Sequence, residues 1–537
     1  MALSARSRVL VLILIIIAAA TAIRIVDLGE LPPGLFVDEA FTGYDAYSLS
    51  RTARDMWGNR LPIFFMSWGD YNSGLYRYLT VPWVATMGLT EAAVRAAAAL
   101  AGVLTILVAF ALGRRLFSTR VGLVAAALLA VSPWHLQFSR IGFRGILLPL
   151  FLSLGVLLFD VAIERKRWWP ILAAVVFGVA LYTYSPARVI VPVMFVVLFL
   201  LYRSRMEWSR RNAVAMFAVL FVLSVPLIAT TLGGEGQQRY AIMSVFNPET
   251  GGGVDAASTA SLIVRNYVSH FSARFLLTAG DANLRHSPAG IGQLNWGTFA
   301  LLLTGLVFAA RQRSRSYLLL IIWMLVAPLP DSFTTDNVPN ALRSIAMLPA
   351  VQILAAAGMF GLLDLKTAPE GRWRLARPAI VALAILLVGI SAGRSLTSYF
   401  TAYRVESAPW WDCGYREAIS YTESVKGRFD GAIVVRPDRE HMHAYAMNPY
   451  VFIYPLFYTA HDPARLHRSR DAGSYVPLDP PGQGLITVEM LTPGTMYIIR
   501  AHQTNIDHPL HTVLYPSGEP AFVVVGEPVV AGGQASR

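Results

Sequence analysis

The chain has 537 residues, 55% of them apolar and 15% charged, with a mean hydropathy of +0.50. Repeated apolar runs of bilayer-crossing length exclude a soluble globular protein and indicate an α-helical polytopic membrane protein. A single cysteine, Cys413, excludes an intramolecular disulfide, and neither a zinc-spaced Cys/His cluster nor a Walker-type or GxGxxG nucleotide loop is present.

The first apolar run, Val9 to Ile23, follows Arg6 and Arg8. Ala20-Thr21-Ala22 resembles a cleavage site, so a signal peptide is the alternative to a retained helix. The loop at 27–91 is far longer than a connector and is expected to be functional or separately structured. It carries LPPGLFVDEAFTGYD from Leu31 to Asp45, with adjacent carboxylates at Asp38 and Glu39, then Asp70 and an amphipathic stretch from Tyr76 to Met87. An acidic pair also has a plain structural explanation, because carboxylates favour the first turn of a helix.

Apolar segments recur at about 92–113, 121–138, 146–163, 168–184, 187–202, 213–230, 294–310, 317–330, 341–363 and 378–394, giving about eleven expected transmembrane helices. The positive-inside rule supports the count. The loops assigned inward hold nineteen Lys and Arg against four acids, a balance of +15, whereas the whole chain is +12 and the remainder therefore −3. The basic charge is thus a topology signal, and nucleic-acid binding has no support. The outward regions are 27–91, the turn at Ser139–Gly145, a second long loop at 231–293, the loop at 331–340 and everything after about Ser395. The last region, 396–537, has short β-branched runs between Pro/Gly turns and is expected to form an extracytoplasmic α/β domain beside a membrane module at 1–395.

Three outward groups carry candidate chemistry. Arg140 and Arg144 close the third span; if helical there they share a face, and guanidinium groups match phosphate oxygens bidentately, although snorkelling to headgroups explains them as simply. The stretch from Thr278 to Pro288 gathers Asp281, Asn283, Arg285, His286 and Ser287, a polar site lining or a capped turn. Arg343 opens the tenth span as a third phosphate contact or a snorkelling residue. Together with the acidic pair, these point to group transfer from a lipid-linked phosphate. A sugar on a polyprenyl phosphate carries its own leaving group, so the protein needs one carboxylate to accept the hydroxyl proton and cations to stabilise the departing phosphate.

The pattern resembles the GT-C glycosyltransferases of family 39 type, relatives of the protein O-mannosyltransferases and the aminoarabinose transferases of lipid A. The carrying residues are Val37-Asp38-Glu39-Ala40, Gly43-Tyr44-Asp45-Ala46-Tyr47, Gly69-Asp70-Tyr71 and Tyr76, then Ser132-Pro133-Trp134-His135 with Phe138-Ser139-Arg140, and Gly280-Asp281 through His286-Ser287, spread over roughly the first 360 residues. The resemblance implies an inverting single displacement on the extracytoplasmic side of the cell membrane, with a polyprenyl-phosphate sugar as donor and a protein, lipid or glycan hydroxyl as acceptor. It implies Asp38 as base with Glu39 beside it, Arg140, Arg144 and Arg343 on the donor phosphate, and Tyr44, Asp70, Asp281, Arg285 and His286 on substrate. Asp38 and the arginines are then expected to border a common cavity. No cofactor is implied, and a divalent metal is left open.

Trp410-Trp411-Asp412-Cys413-Gly414 is similar to the WWDYG motif of oligosaccharyltransferases, departing at the fourth residue, which makes en bloc oligosaccharide transfer an alternative; interfacial anchoring by the two tryptophans is the plain explanation. A transporter is the rival of a different class and predicts acids at mid-span, which most spans lack.

Overall fold

The computed structural model describes residues 4–67, 70–165, 168–233, 242–247, 255–365, 372–429, 433–435, 452–469, 475–477 and 485–528. The chain divides into two compact units, the first of residues 1–26, 69–76 and 95–399, the second of residues 27–68, 77–94 and 400–537.

The first unit is helical. Among the described residues the chain has seven helices long and apolar enough to cross a membrane: Ala5–Ile25, Glu91–Leu116, Arg144–Glu164, Ala187–Arg205, Arg210–Leu232, Ile345–Leu363 and Ala376–Phe400. The other four expected spans are shorter. Ser132 caps a new helix whose first residue is Pro133, so the run at 121–138 is broken into Thr119–Ala130 and Pro133–Phe138. The remaining three are Trp169–Ala180, Trp296–Gln312 and Arg315–Val326, the last ending just before Pro328. A twelve-residue helix reaches only about 18 Å, well short of a hydrocarbon core of about 30 Å.

Of the seven long apolar helices the one containing Ala350–Leu363 is the most enclosed; Val351, Ile353, Leu354, Ala355 and Ala356 are all fully buried. It crosses Trp296–Gln312 at Gly305 and Gly358, where a Cβ on Gly358 would lie 2.2 Å from the Gly305 nitrogen. Two buried indoles fix the turn leading into it: Trp134 Nε1 donates to the Ala341 carbonyl at 2.8 Å and Trp323 Nε1 to the Ala346 carbonyl at 2.6 Å. Helix contact through small residues is the usual way for helices to approach in lipid. Gly358→Leu is therefore expected to destabilise the protein by about 1–3 kcal/mol through overpacking, read as a lowered midpoint of thermal aggregation in detergent, whereas Gly389→Leu, with open space around its Cβ position, leaves that midpoint unchanged.

The second unit is built on a mixed sheet of five strands. Strands β1 (Phe64–Ser67) and β2 (Asp70–Ser73) lie outside it; β3 (Ile433–Val435), β4 (Tyr475–Pro477), β5 (Met496–Arg500), β6 (His511–Leu514) and β7 (Pro520–Gly526) form it in the order β4-β3-β5-β7-β6. β3 runs parallel to β4 and β5, with Ile433 opposite Met496; β7 is antiparallel to both β5 and β6, with Ile498 opposite Val524. Alternation along the strands sends Ile433, Val435, Met496, Ile498, Phe522 and Val524 to one core and Val434, Tyr497, Ile499, Val523 and Val525 to another.

The helix Tyr415–Val425 packs on the first of these cores through Tyr415, Ala418, Ile419 and Thr422, a 3.6-residue stripe. So does the helix Val37–Thr52, through Val37, Ala40, Phe41 and Tyr44. The acidic stretch, read from sequence as a loop of the membrane module, thus folds with the C-terminal segment, because its apolar residues recur at helical spacing and complete that core.

Candidate functional site

In the second unit, Phe36 precedes the helix Val37–Thr52, which places Asp38 and Glu39 in its first turn. Their fates differ. Glu39 is fully buried and its Oε2 accepts the Phe36 N–H at 3.3 Å, closing the helix end. Asp38 is half-buried. Tyr44 is fully buried and donates its hydroxyl to the His461 carbonyl at 2.9 Å, so it serves the core and not a substrate surface; burial, the largest cause, raises its pKa. Asp70 begins strand β2, and its side chain lies outside the described residues.

The next residue along the helix from Tyr44, Asp45, forms a buried ion pair with Arg77 at 2.8 Å and accepts the Met56 N–H at 3.0 Å, while the Arg77 guanidinium lies 4.9 Å from the Phe65 ring. Burial pushes the Asp45 carboxyl up to about 6 against the opposing pull of Arg77. The folded state then holds the proton more tightly than the unfolded chain. This site's contribution to stability is full below about pH 4 and is lost as pH rises through about 6. Asp45→Asn is expected to flatten the stability slope between those values, measured by urea unfolding at stepped pH; an unchanged slope contradicts the assignment.

In the first unit, Asp281 is the hub of the 279–295 loop. Its Oδ2 accepts from His286 Nδ1 at 2.9 Å and the Ala341 N–H at 2.7 Å; its Oδ1 accepts from the Asn283 N–H at 2.8 Å and Asn337 Nδ2 at 2.7 Å. Burial raises its pKa, but His286 and these donors outweigh burial and hold the carboxyl below its ordinary value. The His286 ring sits against Phe138 and Phe143. Arg285 is held through its backbone, its N–H donating to Asn283 Oδ1 and its carbonyl accepting Gln137 Nε2, with a half-buried side chain.

A second hub is Asp331, fully buried, which accepts from His270 Nε2 at 2.8 Å, the Asn340 N–H at 2.8 Å, Arg343 Nη1 at 2.9 Å and Thr334 Oγ1 at 3.1 Å. Arg343 also reaches Asp336 Oδ2 at 3.1 Å, so its guanidinium is committed to carboxylates.

The arginine pair does not share a helix face, because the helix Pro133–Phe138 ends at Ser139 and Arg144 starts a separate short turn. Arg140 is fully buried; its Nη1 and Nη2 donate to the carbonyls of Ile23 and Val26 at 2.7 and 2.6 Å, and its Nε to Tyr399. It caps the C-terminus of the first helix, where a cation meets the negative end of the helix dipole. Arg144 is half-buried, its guanidinium 5.7 Å from the Tyr184 ring centre.

Sequence reasoning missed the cluster around Arg24. That arginine is fully buried, donates to the carbonyls of Ala20 and Ala130, and its Nη2 donates to His135 Nδ1 at 3.0 Å, which leaves the imidazole proton on Nε2. The signal was available: an arginine at the end of an apolar span is rarely without a partner inside the bundle. The Asp45–Arg77 and His270–Asp331 pairs left no local signal, since their partners are 32 and 61 residues apart.

The tryptophan motif serves the second unit's core. Trp411 is fully buried and its Nε1 donates to Tyr403 at 3.0 Å, so it is not an interfacial anchor. Asp412 accepts from Arg500 Nη2 at 2.9 Å and the Tyr454 hydroxyl at 2.6 Å. Among the described residues no group of three or more His, Cys, Asp and Glu gathers as a metal-ligand set.

Residues 76–229 match the family model for dolichyl-phosphate-mannose-protein mannosyltransferase. That stretch includes Ser132–Arg140 but neither Asp38 nor the 279–295 loop, a narrower likeness than the sequence reading drew. No curated protein sequence matches. Among solved structures, ArnT from Cupriavidus metallidurans in the apo state is 16% identical with a TM-score of 0.54, over 97% of this chain and 98% of that one. The same protein bound to undecaprenyl phosphate is 13% identical with a TM-score of 0.51, over 99% and 100%. The oligosaccharyltransferase AglB from Archaeoglobus fulgidus, in complex with an inhibitory peptide and a dolichol-phosphate, is 14% identical with a TM-score of 0.51; the match takes in 89% of this chain but spans only 65% of AglB. The chain thus has the fold of ArnT and AglB, and over residues 76–229 its sequence is similar to the dolichyl-phosphate-mannose-protein mannosyltransferase family.

Proposed function

We propose that the protein is a membrane glycosyltransferase that moves a sugar from a polyprenyl-phosphate donor to a hydroxyl on a protein, lipid or glycan, at the extracytoplasmic face. In this reading the acceptor oxygen attacks the anomeric carbon as its proton passes to Asp38. The bond from that carbon to the phosphate oxygen breaks, and the polyprenyl phosphate leaves with the electron pair. One displacement inverts the anomeric centre. What supports Asp38 in this role is its partial exposure in the first turn of a helix whose Glu39 and Asp45 are buried.

Of the three arginines expected on the donor phosphate, Arg144 is half-buried, whereas the guanidinium groups of Arg140 and Arg343 serve a helix end and two carboxylates. No step requires a divalent metal, and transfer is expected to survive EDTA. En bloc transfer to asparagine has less support, because Asp412 of the tryptophan motif is held by Arg500 and Tyr454.

The test is a panel of radiolabelled polyprenyl-phosphate hexoses and pentoses offered to the purified full chain in lipid nanodiscs with hydroxyl acceptors. At least one donor is expected to be consumed, with inversion at the transferred sugar read by NMR. Retained anomeric configuration, or consumption of a nucleotide sugar alone, contradicts the reading.

A further inference from the structure

A cleft of about 170 Å³ lies within the first unit, between residues 290–296 and one face of the helix Arg372–Phe400. Gly297 makes the approach possible: a Cβ there would meet the Ala384 carbonyl of the facing helix at 1.9 Å. The walls are apolar, with Ile291 and Leu294 opposite Leu387 and Ile390, and the Arg394 side chain lines it from an exposed position, its Nη2 donating to the Gly290 carbonyl at 3.5 Å. Trp296, nearly half exposed, lies in the same lining, where an indole and a guanidinium mark the level of a membrane–water boundary.

Asn295 supplies the second polar feature. It is 2% exposed and holds the N-cap position of Trp296–Gln312, yet its side chain does not cap that helix. Its Nδ2 donates to the Val131 carbonyl at 3.0 Å, which sets the amide's orientation. Its Oδ1 is buried with no hydrogen-bond partner among the described residues. A buried acceptor left empty forfeits its hydration with nothing in return, so the cleft calls for a donor.

We propose that this cleft binds one anionic glycerophospholipid with a hydroxyl-bearing headgroup: its phosphodiester on Arg394, its headgroup hydroxyl donating to Asn295 Oδ1, and its acyl chain along Leu387 and Ile390. A guanidinium suits the phosphodiester, apolar walls suit the chain, and the empty acceptor selects a headgroup with hydroxyls over bare phosphate. This lipid is separate from the sugar donor, and the inference does not rest on the transfer reading.

Native mass spectrometry of the purified full chain, titrated with phosphatidylglycerol, phosphatidate, phosphatidylcholine or undecaprenyl phosphate, tests it. One phosphatidylglycerol is expected per chain, held about 10-fold more tightly than phosphatidate or phosphatidylcholine, a margin of about 1.4 kcal/mol. Arg394→Ala, an exposed change, is expected to weaken phosphatidylglycerol about 10-fold, Arg394→Lys to keep most of the affinity, and Asn295→Leu to erase the preference over phosphatidate. Unchanged binding by Arg394→Ala overturns the proposal. So does one-for-one displacement by undecaprenyl phosphate, which would make the cleft a donor site.

Discussion

Arg343→Met is expected to cost about 3–5 kcal/mol of stability, because it strips the cation from a carboxylate that is wholly buried. Asp331 would keep His270, Thr334 and the Asn340 N–H, but its negative charge would lose the partner that offsets desolvation. The network also ties the helix Ala256–Ser269, through Asn266 and His270, to the 331–334 turn, so the loss should spread to that helix. Fluorescence-detected gel filtration after graded heating reads the effect. The double variant Arg343→Met with Asp331→Leu should recover part of the loss, since removing both charges leaves none buried alone. A phosphate-binding arginine would behave differently, with stability unchanged and donor KM raised; that outcome would return Arg343 to the donor site.

Much of the membrane architecture was readable from hydropathy and charge alone, since a long apolar helix needs no partner to declare itself. The runs at 9–23, 92–113 and 213–230 became Ala5–Ile25, Glu91–Leu116 and Arg210–Leu232. What failed were runs broken by a local cap that hydropathy averages away, as at Ser132-Pro133. The role of Arg140 was misread for a related reason. Its spacing from Arg144 has meaning only on a continuous helix, and its partners at Ile23, Val26 and Tyr399 are more than a hundred residues away. Asp281 and His286 were legible as a polar cluster, but the sequence does not show that Asn337 and Ala341 fill the carboxylate's remaining acceptor positions. The acidic pair was the reverse case. The two residues are adjacent and chemically alike, and only the helix start at Val37 separates Glu39, turned back onto the Phe36 N–H, from Asp38.

The second large effect concerns that residue. If Asp38 accepts the acceptor's proton during attack, its amide cannot, and general-base catalysis is worth about 10²–10⁴ in rate. The Asp38→Asn side chain is isosteric with the native one, and the variant is expected to fold, to elute as wild type does, and to bind the polyprenyl-phosphate sugar with unchanged affinity. The measurement that decides the matter is single-turnover transfer of labelled sugar by Asp38→Asn in nanodiscs, at saturating donor. A fall of about 100-fold or more with donor affinity intact is the predicted result. Transfer at the wild-type rate would contradict the assignment of the base and, with it, the mechanism.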